Sequence, residues 1–203
     1  MKVRVKYTYK SALFAAFLAV ACGPSAPAVS APKDVLATNL TTPTGTQLAA
    51  ACTPTGPELC FNAIDDNCNG IIDEGCGQNT GQLQFMIAWG DSKANVDLEV
   101  DGVGGKVGPD NPSTQSGLQY EKDCPGLNGG ESCNGQNVEN IYFNGTAEPP
   151  KGKYEVRVIL KALNGAPTPV LVRWGARVGS RSYGADVELT KEGEVKPFSF
   201  TLQ

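Results

Sequence analysis

Between Gly81 and Gln203, apolar residues recur at every second position in short runs, and this period restricts the chain more than any other feature. In Val96-Asp97-Leu98-Glu99-Val100-Asp101 the aliphatic side chains face one way and the acids the other. The same alternation runs through Tyr154–Leu160, Val170–Trp174 and Phe198–Leu202, while Leu83–Trp89 is apolar enough for a buried strand. Gly104-Gly105, Lys151-Gly152, Asn164-Gly165 and Glu192-Gly193 fall between runs, where turns need residues that tolerate positive φ. No segment shows a helical apolar stripe. The pattern predicts a mainly β protein, an antiparallel β-sandwich over residues 81–203, large enough to bury its own core.

Upstream, Cys52, Cys60, Cys68 and Cys76 stand eight apart each time. So short a segment cannot build a hydrophobic core, so residues 52–77 are expected to be a small module held by two disulfides in an oxidising compartment. Three connectivities are open. Zinc is the other use for four thiols, but structural zinc sites favour C-x2–4-C pairs.

Between these cysteines lies an oxygen-rich loop. Asp65, Asn67 and Asn69 occupy alternate positions, Gly70 follows, Ile72 is apolar and Asp73 comes next. This is the order of calcium loops. Side-chain oxygens at positions 1, 3 and 5 curl around one ion, the glycine turns the chain, and Ile71 offers its carbonyl; position 9, Asp73, ligates directly or through water. Position 12 holds Cys76 in place of a bidentate Glu, so Asp66 or Glu74 has to complete the shell. Residues 52–76 carry Glu58, Asp65, Asp66, Asp73 and Glu74 and no Lys or Arg, a repulsion that a divalent cation would relieve. The alternative is a disulfide-held loop that uses Asp and Asn only to make turns. Glu58, Cys60, Asn62, Asp65, Asp66, Asn67, Cys68, Asn69, Gly70, Asp73, Glu74, Gly75 and Cys76 together resemble the metal-binding repeat of bacterial surface proteins, sometimes labelled copper-binding. That resemblance implies a bound metal. The chain has no His, and Met86 is its only Met beyond the first residue, so calcium fits better than copper.

A seventh cysteine has a different setting. Lys2, Arg4, Lys6 and Lys10 precede ten apolar residues, Ala12–Ala21, which are too few to span a bilayer but suit a secretory signal. The run ends Leu18-Ala19-Val20-Ala21-Cys22-Gly23, which resembles the lipobox of bacterial lipoproteins. Ala19 stands where that pattern prefers Leu, with Leu18 one position further back. The resemblance implies removal of residues 1–21, a signal peptide, and attachment of diacylglycerol, with palmitate-type chains, at Cys22. The remaining chain then carries a formal charge of −8, because four of the 17 basic residues and no acidic ones leave. So acidic a surface argues against nucleic-acid binding. Residues 22–51 are Pro, Ala, Ser or Thr at 18 of 30 positions, the composition of a flexible stalk.

Cys124 and Cys133 remain, nine apart, and one disulfide between them would pin the loop after the acidic segment. The β-region resembles the YfaP-like family of exported bacterial β-domains. The match lies in Trp89, Asp97-Leu98-Glu99-Val100, Asp123-Cys124, Glu139-Asn140-Ile141-Tyr142-Phe143 and Pro150-Lys151-Gly152-Lys153-Tyr154-Glu155-Val156. It implies a β-sandwich and no reaction. Asp97, Glu99 and Asp101, with Asp91 and Asp123 nearby, read either as the solvated outer face of a sheet or as a second cation site. Trp89 and Trp174 read as core anchors.

Without histidine, no Ser-His-Asp or Cys-His arrangement exists, and no carboxylate pair is singled out for glycosidase chemistry. The expected function is therefore non-enzymatic: a protein lipid-anchored in the bacterial cell envelope, at the outer membrane, with a calcium-type loop and a β-module for binding or scaffolding. Its partners would be the membrane and an envelope protein or polysaccharide. The alternative is a carbohydrate- or peptide-binding accessory module of a secreted hydrolase system.

Overall fold

A computed structural model describes residues 34–49, 52–90, 93–125, 133, 136–145 and 147–203. The expected signal peptide, the lipidation residue Cys22 and residues 22–33 of the expected stalk lie outside the described residues, as does Asp91. A compact unit runs from Lys33 to Gln203.

Ten strands form the described part: β1 (Ala37–Thr41), β2 (Leu83–Trp89), β3 (Asn95–Gly102), β4 (Gly105–Val107), β5 (Leu118–Cys124), β6 (Val138–Phe143), β7 (Gly152–Ala162), β8 (Val170–Val178), β9 (Arg181–Leu189) and β10 (Val195–Leu202). They make two five-stranded antiparallel sheets, β1-β10-β7-β3-β4 and β5-β6-β2-β8-β9. The sandwich expected from alternation is present, and no helix occurs among the described residues.

The alternation explains the core. Tyr154, Val156, Val158 and Leu160 of β7 are buried, while the residues between them reach the surface in part. Phe198, Phe200 and Leu202 of β10 repeat the pattern beside them. Trp174 from the opposite sheet stacks on Phe198, with ring centroids 4.0 Å apart, so both indole and phenyl are withdrawn from water. Trp89 is buried too, its indole N–H donating to the Ala94 carbonyl. Both tryptophans are core anchors.

Two features differ from the expected layout. First, residues 34–49 of the expected stalk join the sandwich. Ala37 pairs with Leu202 and Thr38 with Thr201, while Val35 enters the core. In a Pro/Ala/Ser/Thr-rich segment, Val35, Leu40 and Leu48 supply apolar contacts, and the unpaired edge of β10 supplies hydrogen-bond partners. Second, residues 52–76 lie on the outer face of the second sheet. Every residue of β2 is buried, because Phe85 and Ile87 face the core while Met86 and Ala88 are covered by Ala63, Ile72 and Phe61. A strand buried on both faces reads as a continuous apolar run.

Candidate metal-binding loop

The cysteines decide the path of the loop. They pair alternately, Cys52 with Cys68 and Cys60 with Cys76, and each bridge spans 16 residues of sequence. Interleaved bridges fold residues 52–76 back on themselves twice, which brings Glu58 beside residues 65–74. Cys124 pairs with Cys133 as expected.

Asp65 organises the turn. Its Oδ1 accepts the Asn69 amide at 3.0 Å and its Oδ2 accepts the Gly70 amide at 2.9 Å. Asn67 Oδ1 accepts the Asn69 amide and Asn69 Oδ1 accepts the Ile71 amide, so the side-chain oxygens at positions 1, 3 and 5 each cap an amide further along one curl. Gly70 has φ of +88° and sits against the Ser180 carbonyl, where a Cβ would lie 2.6 Å from that oxygen. Only glycine meets both demands. Ile72 is buried beneath the turn, as position 8 should be.

Glu74 closes the curl: its Oε1 accepts the amide groups of both Asn67 and Asn69. Asp66 is used otherwise. It takes hydrogen bonds from Thr55, the Leu59 amide and Asn62, and although burial pushes its carboxyl up, these bonds outweigh burial and hold it below the ordinary range. Of the two acids expected to complete the shell, Glu74 is the one brought to Asn67 and Asn69. Asp73 turns toward the first half of the loop, accepting the Phe61 amide at 3.1 Å and the Asn62 amide at 3.5 Å. Its own amide donates to Glu58 Oε1 at 2.8 Å.

The charge is high for so buried a place. Asp65, Asp66 and Asp73 are each no more than 4% exposed. Burial raises Glu58 to about 7, with Glu74 and Asp65 adding repulsion, and raises Asp73 to about 6 against the pull of the amides it accepts. Glu58 Oε2 and Glu74 Oε2 are buried without a hydrogen-bond partner. Two orphaned acceptors of the same sign in one loop are costly unless a cation joins them. The acidic side chains alone form no closed cage of three or more among the described residues, so the donor set for an ion has to include the Asn67 and Asn69 amide oxygens and main-chain carbonyls such as that of Ile71. Such a set is made of hard oxygen donors, the chemistry of calcium. The four thiols are spent in disulfides, and the Met86 sulfur is buried under the loop at 3.3 Å from Gln84 Nε2. Imidazole is absent from the chain.

Three parts of the site come from far along the sequence and were not foreseen. Ser182 on β9 donates to Asp65 Oδ2 at 2.7 Å. Arg177 on β8, half-buried, bonds to the Gly179 carbonyl and Thr80 and lies near enough to Asp65 and Glu74 for their charges to oppose the downward pull of burial on its guanidinium. Gly175 on β8 lets the loop backbone lie against the sheet, since a Cβ there would meet the Ala63 carbonyl oxygen at 2.3 Å. Glu58 had a signal, its place two residues before Cys60 in the metal-binding repeat; the other three had none.

The family model described as "putative metal-binding motif", of the copper-binding MopE type, matches residues 48–74, the segment just described. No curated protein and no solved structure matches the chain.

Proposed function

We propose that this is a non-enzymatic, lipid-anchored protein of the bacterial cell envelope. Its disulfide-held loop binds one divalent cation, calcium, and thereby fixes a binding or scaffolding surface on the second sheet of the β-sandwich. The pair of buried, unpartnered oxygens on Glu58 and Glu74 carries this reading, because they flank the curl built by Asp65, Asn67 and Asn69. An ion held by these oxygens would relieve the repulsion and brace the loop against β8 and β9. Copper suits the site less well, since its preferred imidazole and thiolate ligands are not offered. The second reading, a carbohydrate-binding accessory module, loses support from the aromatic residues: no Trp, Tyr or Phe is among the exposed large hydrophobic side chains of the described residues.

Calorimetric titration of the oxidised, chelator-treated protein with calcium chloride tests the ion. Binding heat and a higher melting temperature are expected, and absence of both would remove the reading. The anchor is tested separately in cells, where Cys22→Ser should abolish fatty-acid labelling and release the protein from membranes. Unchanged fractionation would defeat it.

A further inference from the structure

Beside the cysteine loop, the outer face of the second sheet holds a hollow of about 480 Å³, a size that suits a small ligand or part of a larger one. Its floor is one row across three strands. Ala88 of β2 stands opposite Arg173 of β8, and Arg173 stands opposite Asp186 of β9. Leu171, two residues along β8 from Arg173, lines the same hollow and is 62% exposed. The loop supplies a wall with Phe61, which packs against the cluster that includes Ala88. Phe61 is held in place: its amide donates to Asp73 Oδ2 at 3.1 Å, and the Lys122 ammonium sits 4.8 Å from its ring centre. The hollow is therefore made by the docking of the loop on the sheet.

Arg173 supplies the polar contact. Its Nη1 donates to Asp186 Oδ2 at 3.0 Å, while its Nε is buried with no hydrogen-bond partner. A donor left in that state costs free energy that an added acceptor recovers. Asp186, whose side chain is 78% exposed, adds little stability as an ion-pair partner, and a carboxylate can accept more than one hydrogen bond. The pair offers a donor and an acceptor beside an apolar surface, which complements an amide group carrying an apolar substituent. A carboxylate or phosphate fits poorly, because it would face Asp186 and, across the guanidinium, Asp65 and Asp66, which line the neighbouring hollow with Arg173. A cation would face the guanidinium. A sugar ring would need an exposed aromatic face, and Trp89, which lines the hollow, is only 7% exposed with its indole N–H bonded to the Ala94 carbonyl.

We propose that this hollow is a peptide-binding site, which takes a side chain of leucine or phenylalanine size against Phe61, Ala88 and Leu171. The carbonyl of the bound residue accepts from Arg173, and a peptide N–H donates to Asp186. The inference rests on the reading of the second sheet as a binding surface and names what that surface binds. It needs the docked loop but not the ion, because no side chain lining the hollow is among the oxygens assigned to calcium.

Capped tripeptides with a central leucine, phenylalanine, alanine or aspartate, titrated into the full, oxidised chain, test the proposal through backbone amide chemical shifts and Trp89 fluorescence. The leucine and phenylalanine peptides should bind at least tenfold more tightly than the other two, with shifts centred on Ala88, Leu171 and Arg173. Arg173→Met and Leu171→Ser should each weaken that binding at least tenfold. Leu59→Ser, at an equally exposed leucine outside the hollow, should leave it unchanged. Leu171→Ser serves where Arg173→Met fails to fold, because its side chain lies on the surface. Peptide binding that persists in chelator upholds the site even where calcium gives no heat, so the two readings stand or fall separately. The proposal is overturned if the peptides cause no shift, bind alike whatever the central residue, or lose as much affinity in Leu59→Ser as in folded Arg173→Met and Leu171→Ser. N-acetylglucosamine shifting these amides where the peptides do not would also overturn it, since the occupant would then be a sugar.

Discussion

At Asp65 one carboxylate holds two backbone amides of its own turn and a hydroxyl from β9. Removing it strands the buried Gly70 amide, while the Asn69 amide keeps Asn67 Oδ1, so Asp65→Ala is expected to cost about 1–3 kcal/mol, read as a lower melting temperature in the presence of chelator. Asp65→Asn keeps the shape and one acceptor oxygen but removes the charge and places an NH2 where the other oxygen accepted; it should lose less stability than Asp65→Ala but most of the calcium affinity. Equal affinity of Asp65→Asn and wild type would show that the Asp65 carboxylate is not a ligand. The role of this residue in the turn was legible from Asp, Asn, Asn and Gly at alternating and adjacent positions. Its bond to Ser182 was not, because nothing local relates residues 117 apart.

Among the elements, β8 decides whether the cysteine loop can dock. Gly175 stands opposite Met86 on β2 and opposite Gly184 on β9, on the face that the loop covers. Gly175→Ala drives a methyl into the Ala63 carbonyl, and neither backbone can yield without breaking sheet or disulfide geometry. An overpacking cost of about 1–3 kcal/mol is expected, with faster proteolysis within residues 52–76. Gly90→Ala is the control, as open space surrounds a Cβ there; equal proteolysis of the two variants would show that the loop is not held by this contact. The strand itself was visible in Val170–Trp174. That its glycine serves a distant loop was not visible, since a glycine in a strand reads the same whether it admits a backbone or merely weakens the sheet.

For the whole molecule, burial of charge couples stability to pH and to the ion. Glu58 and Asp73 have folded-state values of about 7 and about 6, above their ordinary 4.5 and 3.8, so the folded protein holds these protons more tightly than the unfolded chain. Their contribution is present in full below the ordinary values and is lost as pH rises through about 6 to 7. In chelator, the melting temperature should therefore fall across that window. Saturating calcium should suppress the fall, with affinity increasing toward neutral pH as the carboxylates ionise; a chelator melting curve flat with pH would refute the linkage. The sequence by itself determined the sandwich, the cysteine-held module and the oxygen-rich turn, because each is written in neighbouring residues: alternation at period two, even cysteine spacing, and a run of Asp, Asn and Gly. Tertiary structure alone decided that residues 34–49 complete a sheet, that the cysteines interleave, that Ser182 reaches Asp65, and that Glu139 of one sheet accepts the Leu98 amide of the other. Those outcomes depend on free strand edges, open faces and buried charge, which exist only once the sheets have formed.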